Sequence, residues 1–314
     1  MKKLNKPDKI AIKSKSASFV TSLFCYVLLI LVSFIILFPF ISKISASFMS
    51  VEDMYDRTVN FIPRKPTLDN YEFVMQAIKF GSTGLRTLGL SLICAILQTF
   101  VAAMTGYALA KMKKKMGKIG MIMVLATVLV PPQVIMLPMY LKFRFYDVFG
   151  IVNLITGKQI NLLDTAGGVL PFILLSCTGM AFKNGIYIFL LRQFYKGIPE
   201  ELEEAAFIDG CSTFKTFFKI VLPVSVPMMV TVFLLSFCWQ WTDTFYTNLF
   251  LKSDAVLSTA IFSISGIQQQ GSGNFYETVI INTAVILAIL PLVILYIFGQ
   301  RKLIAGIERS GVTG

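Results

Sequence analysis

The chain is divided into long stretches without charge, and these limit its fold more than any other feature. The runs between Lys15 and Lys43, Arg86 and Lys111, Lys118 and Lys142, Lys219 and Asp243, and Glu277 and Arg301 hold 27, 24, 23, 23 and 23 uncharged residues. A sixth run of 27 residues, between Asp164 and Arg192, is broken only by Lys183. A bilayer core is crossed by about 20 apolar residues in helical form. Inside it every backbone N–H and C=O must be satisfied by the chain itself, which leaves helices or a closed barrel. Barrel strands would read as alternating segments of about 10 residues, and the sequence shows none. The expectation is therefore an all-α polytopic membrane protein with six transmembrane helices, at 19–41, 87–110, 119–141, 169–192, 223–244 and 278–300. A hydrophobic content of 55% agrees, since it is too high for a chain that must keep a polar surface.

Lysine placement orients these spans. The first fifteen residues carry six lysines and one acid, and 111–118 carries five lysines and no acid. Short basic loops stay in the cytoplasm, so both termini are expected inside. Residues 1–18 form a basic cytoplasmic tail, disordered or lying on the membrane surface. Residues 19–300 form the transmembrane domain, and 301–314 a cytoplasmic C-terminal tail. Segments 42–86, 142–168 and 248–277 then lie outside, and 193–222 inside. The net charge of +12 is mostly this topology signal. The basic clusters flank spans and lack interleaved aromatics, which argues against nucleic acid as a partner. The first apolar run is too long for a signal peptide's core of about 7–15 residues, so a retained first helix is expected. Five cysteines without a CxxC pair, and no histidine, give no disulfide framework and no metal site.

Within the spans a few residues stand out. Ala102, Ala103 and Gly106 suit close helix packing. Pro131, Pro132 and Pro138 in VPPQVIMLPMY must kink or break the third span. Two readings of that break stay open: a cavity lined by freed carbonyls, or a helix that ends early. Lys183 is costly in lipid, about 3 kcal/mol. It either lines a translocation path, marks a break at Lys183-Asn184-Gly185, or snorkels from a shifted helix. Trp239, Gln240, Trp241 and Asp243 end the fifth span. They suit sugar contact, indoles by stacking and polar groups by hydrogen bonding, or else an interfacial aromatic belt. Tyr187 joins Lys183, Trp239 and Gln240 as a candidate path residue. On the outer side, Gln268-Gln269-Gln270 and Gly271 form a polar loop tip.

The segment 193–222 is unlike the rest. Pro199 suits the start of a helix, and Glu200, Glu201, Glu203 and Glu204 suit its positive end. Asp209-Gly210 stops that helix, with glycine in a left-handed position. Ser212 can cap the next. Phe214, Phe217, Phe218 and Val221 then mark an apolar helical face. Two short helices in an L are expected below the membrane.

The spacing Glu204-Ala205-Ala206, three residues, Gly210, nine residues, Ile220, one residue, Leu222-Pro223 resembles the EAA loop of binding-protein-dependent ABC importer permeases. VPPQVIMLPMY, IFLLRQFYKGIPEELEEAAFIDG, FCWQWTDTFYTNLFL and GIERSGVTG resemble the carbohydrate-uptake permeases, specifically the six-span subunit of maltose-type importers. Cys211 replaces the family's usual small residue, and Val312-Thr313-Gly314 departs from its usual tail. The resemblance implies a type I ABC importer permease fold in the bacterial cytoplasmic membrane, importing sugars or oligosaccharides. It implies a second homologous permease, two cytoplasmic ATPase subunits and an extracytoplasmic solute-binding protein as partners. Glu204, Ala205, Ala206, Asp209, Gly210, Ile220, Leu222 and Pro223 would dock the ATPase, the loop at 268–271 would meet the binding protein, and the C-terminal tail would touch the ATPase dimer. The chain has no GxxxxGK[ST] loop to cradle phosphates. ATP and Mg are therefore expected on the partner, with no cofactor and no enzymatic activity here. A permease for glycerol-phosphate or another polar solute is the alternative. An ion-coupled secondary transporter is a further one, weakened by span interiors that hold no acid.

Overall fold

The computed structural model describes residues 6–147, 150–157, 159–251, 256–264 and 274–311. Among them there is no strand, only an isolated antiparallel bridge between Tyr146 and Ile160. The helices, in chain order, are α1 (Lys6–Ser47), α2 (Val51–Tyr55), α3 (Asp69–Ala77), α4 (Phe80–Lys111), α5 (Lys114–Leu129), α6 (Pro132–Arg144) and α7 (Ile151–Thr156). They continue as α8 (Leu170–Cys177), α9 (Asn184–Lys196), α10 (Glu201–Ile208), α11 (Thr213–Thr216), α12 (Leu222–Trp241), α13 (Phe245–Phe250), α14 (Leu257–Ile264) and α15 (Asn274–Gly311). Thr165–Gly168 is a 3-10 turn and Phe217–Val221 a π-turn.

Among the described residues four helical stretches are long and apolar enough to cross a membrane: Thr21–Ser47, Phe80–Lys111, Thr213–Trp241 and Tyr276–Arg301. The pair α5 and α6 would make a fifth, bent by 93° where Pro131 and Pro132 interrupt the backbone ladder. The expected fourth span, 169–192, is not one helix. It is α8 and α9, separated by a turn whose Gly179 and Lys183 take φ +73° and +68°. An unbroken helix cannot pass through two such residues.

Other boundaries also move. Residues 6–18 are helical and continuous with the first span, because nothing between Pro7, in the first turn, and Pro39 interrupts the helix. The expected start of the second span at 87 shifts to Phe80, behind a left-handed Lys79. The last helix runs to Gly311 instead of ending at 300.

The chain divides into two units, Met1–Val74 with Gln268–Ile286, and Met75–Ile267 with Leu287–Gly314. In the first, Asn70 Nδ2 donates to the carbonyls of Ser47 (3.0 Å) and Met49 (2.9 Å), fixing the start of α3 against the end of α1. Asp53 is buried and accepts from the Lys65 amide at 2.9 Å. Hydrogen bonds from the Thr58 side chain and backbone hold the nearby Asp56 carboxyl below its usual value. The most apolar stretch of α1 is uncovered, with mean hydropathy 2.9, and only the end of the helix near Ser47 is buried. So long an apolar surface belongs in lipid or under a partner.

In the second unit α4 is the central helix. Its face of Thr83, Thr87, Ser91, Cys94, Gln98, Ala102 and Gly106 is buried, at spacings of three and four. Ala102 and Ala103 are inaccessible and pack with Leu191 of α9 and Val232 of α12. At Gly106 a side chain would stand 3.1 Å from the Arg192 amide nitrogen, so α4 and α9 meet backbone to backbone. A second cluster joins α6, α8 and α13 through Phe143, Phe172 and Phe250, whose rings meet edge to face.

Candidate functional site

Two places in the second unit gather the residues singled out by the sequence. One is the helix pair α10 and α11. The Glu203 and Glu204 amides both bond to the Glu200 carbonyl at 3.0 Å, so the helix begins at Glu201 behind Glu200, and Pro199 lies just outside it. Asp209 closes the helix and Gly210 turns the chain at φ +76°. The Ser212 side chain accepts from the Lys215 amide, capping α11 as its residue type suggests. Glu204, Ala205, Asp209, Gly210 and Pro223 are exposed, Ile220 and Leu222 half-buried, and Ala206 buried. Ile208 is 86% and Phe214 71% exposed, large apolar side chains left uncovered beside those acids.

The aromatic face expected over 214–221 divides in two. Phe217 and Val221 are buried, whereas Phe214 and Phe218 are exposed. The π-turn at Phe217–Val221 is the cause, since its wider turn aligns residues four apart and separates those three apart.

Sequence reasoning gave Glu203 no role of its own. In the fold it is buried: it takes a 2.8 Å ion pair from Lys111 Nζ and a 3.1 Å hydrogen bond from the Tyr107 hydroxyl. Both partners lie in the last turns of α4. Arg192 of α9 reaches the same place, donating through Nε to the Leu109 carbonyl and through Nη2 to the Gly117 carbonyl, each at 3.3 Å. A cation at a helix C-terminus also complements its dipole. Thus α9 and α10 are both fastened to the end of α4 by charged groups.

The other place is a cavity of about 240 Å³. Lys183 from the break before α9, Tyr187 from α9, and Trp239 and Gln240 from α12 all line it. Lys183 Nζ stands 3.6 Å from the Trp239 ring centroid and 5.2 Å from that of Phe182. Such a contact is worth about 0.5–2 kcal/mol. Tyr187 and Trp239 are 5.8 Å apart, centroid to centroid. The break reading of Lys183 and its place on a cavity are therefore one arrangement, because the left-handed residue that ends the turn carries the ammonium into the space.

The floor of the cavity holds residues the sequence did not single out. Ser236 of α12 donates to Gln98 Oε1 at 2.7 Å, and Gln98 Nε2 donates to Ser176 of α8 at 3.1 Å. This ties three helices across separations of 78 and 138 residues. The available signal was the polar stripe on α4 at helical spacing. Asp243 also lines the cavity, but it accepts from the Thr247 amide (2.8 Å), the Thr247 hydroxyl (2.9 Å) and the Tyr246 amide (3.4 Å), capping α13. Trp241 does not line it. Its indole donates to the Ala288 carbonyl at 2.9 Å and is buried, so it packs α12 on α15 instead of forming an interfacial belt. Gln268, Gln269, Gln270 and Gly271 lie outside the described residues.

Residues 98–309 match the model of the binding-protein-dependent transport system inner membrane component. The chain belongs to that family of membrane permeases. Among curated members it is 29% identical to the arabinooligosaccharides transport system permease protein AraQ of Halalkalibacterium halodurans, over 90% of this chain and 93% of that one. It is 27% identical to the trehalose transport system permease protein SugB of Mycobacterium tuberculosis, over 81% and 84%. Its fold is similar to a chain in the crystal structure of a bacterial ABC transporter that imports alginate, with TM-score 0.69, 18% identity, and coverage of 96% and 99%. A second alginate transporter structure, in complex with a pentasaccharide-bound periplasmic protein, matches at TM-score 0.64 and 17% identity, over 91% of this chain and 95% of that one. The expected family is therefore the right one, and the permease fold with it.

Proposed function

We propose that this permease forms half of the translocation path of an importer for sugars or oligosaccharides, and that α10 and α11 couple it to a separate ATPase. The names of its relatives support the substrate class. The observation that carries the coupling is the exposed pair α10 and α11, bearing Glu204, Ala205 and Gly210 at one tip, with buried Glu203 locked to α4 behind it. An element that is exposed in front and rigid behind can take a push and pass it on.

In this reading α1, α4, the bent pair α5 and α6, the broken pair α8 and α9, α12 and α15 make six crossings, with both termini in the cytoplasm. Residues 193–222 face an ATPase dimer that binds ATP and Mg. Glu204, Ala205, Ala206, Asp209, Gly210, Ile220, Leu222 and Pro223 form the docking core. A second permease completes the path, a solute-binding protein delivers the sugar near 268–271, and Lys183, Tyr187, Trp239 and Gln240 face the path. ATP would close the ATPase dimer, and the docked helices would tilt the spans between inward and outward openings.

Substitution of Glu204→Lys tests this. The variant is expected to insert in the membrane at normal level, to lose sugar uptake and to leave the ATPase behind on purification. Normal recovery of the ATPase with that variant would refute the docking role.

A further inference from the structure

We propose that the cavity beside Lys183 takes one sugar unit carrying a carboxylate, with the ammonium as the carboxylate's partner and the Trp239 face as the platform for the ring. The inference rests on the importer reading and narrows its substrate to an acidic saccharide.

The argument begins with charge. Two ionisable side chains of opposite sign line the cavity, and they are not equivalent. Asp243 is engaged, both its oxygens accepting hydrogen bonds at the start of α13. Among the described residues no carboxylate lies within ion-pair distance of Lys183. Its ammonium has three donors; among the described residues none of them is taken by an ion pair, the faces of Trp239 and Phe182 lie beside it, and the Asp243 carboxylate acts on it only through space. Lys183 also caps the N-terminal end of α9, where the helix's own positive end adds to its charge and does not offset it. The cavity thus holds a cation that no carboxylate touches directly, since the one carboxylate lining the same space, Asp243, is committed to the start of α13.

Steric considerations favour a ring. The ammonium now covers the indole face that a sugar would stack on. A neutral sugar would have to displace it and could offer the ammonium only hydroxyl acceptors, which are weaker than a carboxylate. A carboxylate draws the flexible lysine off the ring by providing a charge-assisted hydrogen bond. The exposed indole then receives the apolar face of the same sugar unit. Binding the charge uncovers the platform. Gln240, whose Nε2 is buried without a partner, adds a donor on the same helix as Trp239. The volume of about 240 Å³ is below the roughly 300–1,000 Å³ of sites for drug-sized ligands, which suits one sugar unit at a time.

The backbone gives independent support. Lys183 holds a left-handed conformation that glycine or asparagine would adopt more readily. A strained lysine aimed at a cavity signals a requirement for the ammonium there.

The permease, purified from its native cells with the subunits that accompany it and placed in nanodiscs, can be titrated with radiolabelled trigalacturonate, neutral galactotriose and glycerol 3-phosphate. Trigalacturonate is expected to bind at least about tenfold more tightly than either of the others, and to weaken with added salt while galactotriose does not. Lys183→Arg should keep most of the preference, and Lys183→Met should reduce trigalacturonate to the level of galactotriose. If Lys183→Met does not fold, the salt dependence of the native complex decides the matter. Equal binding of the two saccharides overturns the proposal, as does a preference that survives in Lys183→Met. Glycerol 3-phosphate binding as tightly as trigalacturonate overturns the role of the platform, and no uronate binding overturns the whole. Galactotriose binding as tightly as trigalacturonate would leave the importer reading intact, so the two fail separately.

Discussion

Two polar clusters lie along α4 and its neighbours, and they are built on opposite terms. At the last turns of α4, Glu203, Lys111, Tyr107 and Arg192 are mutually occupied or bonded to backbone carbonyls. In the cavity, Lys183 lies on aromatic faces with no ion pair among the described residues, Gln240 has an unpartnered nitrogen, and the backbone at Lys183 is left-handed. Buried polar groups that are satisfied hold elements in place, and groups left open are positioned for something not yet bound. The first cluster reads as a fastening and the second as a receptor. Removing a member of the first should cost stability and coupling together. Removing Lys183 should cost function while leaving the stability of the fold nearly unchanged.

The largest effect is expected at the fastening. Glu203→Ala leaves a half-buried Lys111 ammonium beside an unanswered Tyr107 hydroxyl, at about 3 kcal/mol. Thermal unfolding of the purified complex should show this loss, and uptake should fall with it. The double variant Glu203→Met with Lys111→Met, which leaves no charge alone, should recover most of the stability. If the single variant is as stable as the parent, the cluster is no fastening.

Next is the packing beside the cavity. A side chain at Gly185 would come within 2.6 Å of Val128 Cγ2 and 2.9 Å of the Val124 carbonyl. Gly185→Val should therefore force α5 and α9 apart at about 1–3 kcal/mol, measurable as a lower unfolding midpoint. Lys183→Gly should differ. It relieves the left-handed backbone by about 1 kcal/mol and gives up a cation–π contact of about the same size, so the unfolding midpoint should hardly move while uptake falls. Such a split between stability and transport separates a receptor from a fastening. The smallest effect is expected at Ser236→Ala, which removes one hydrogen bond of the Gln98 network, at about 0.6 kcal/mol by the average for bonds between membrane helices.

These two regions were not equally legible beforehand. The turn between α10 and α11 could be read residue by residue, because its signals are local: Gly210 for the left-handed position and Ser212 for the cap. The expected second short helix is instead the first turns of the continuous stretch Thr213–Trp241, because Pro223 lies in the first turn of α12 and interrupts nothing. Yet even there Glu203 passed as one acid of several. Its partners Tyr107 and Lys111 lie 96 and 92 residues away, and only folding brings them to it. The four cavity residues were legible as path candidates, and a break at Lys183 was one of the open readings. That they meet was not legible, because the turn between α8 and α9 also needs the left-handed Gly179, which leaves no mark in a charge gap. Charge gaps also left helix ends uncertain, since α1 and α15 run on past their basic flanks. Lysines end a lipid-facing run without ending a helix, for they are good helix formers.

The central claim is that α10 and α11 receive force from an ATPase. The direct measurement is crosslinking from Ile208, the most exposed apolar side chain of that element. In a background with Cys25, Cys94, Cys177, Cys211 and Cys238 all replaced by serine, Ile208→Cys treated with a short bifunctional thiol reagent in native membranes should give one adduct with the ATPase subunit, and ATP should change its yield. Labelling of the same cysteine by a membrane-impermeant reagent added outside intact cells, with no adduct to an ATPase, would contradict the account.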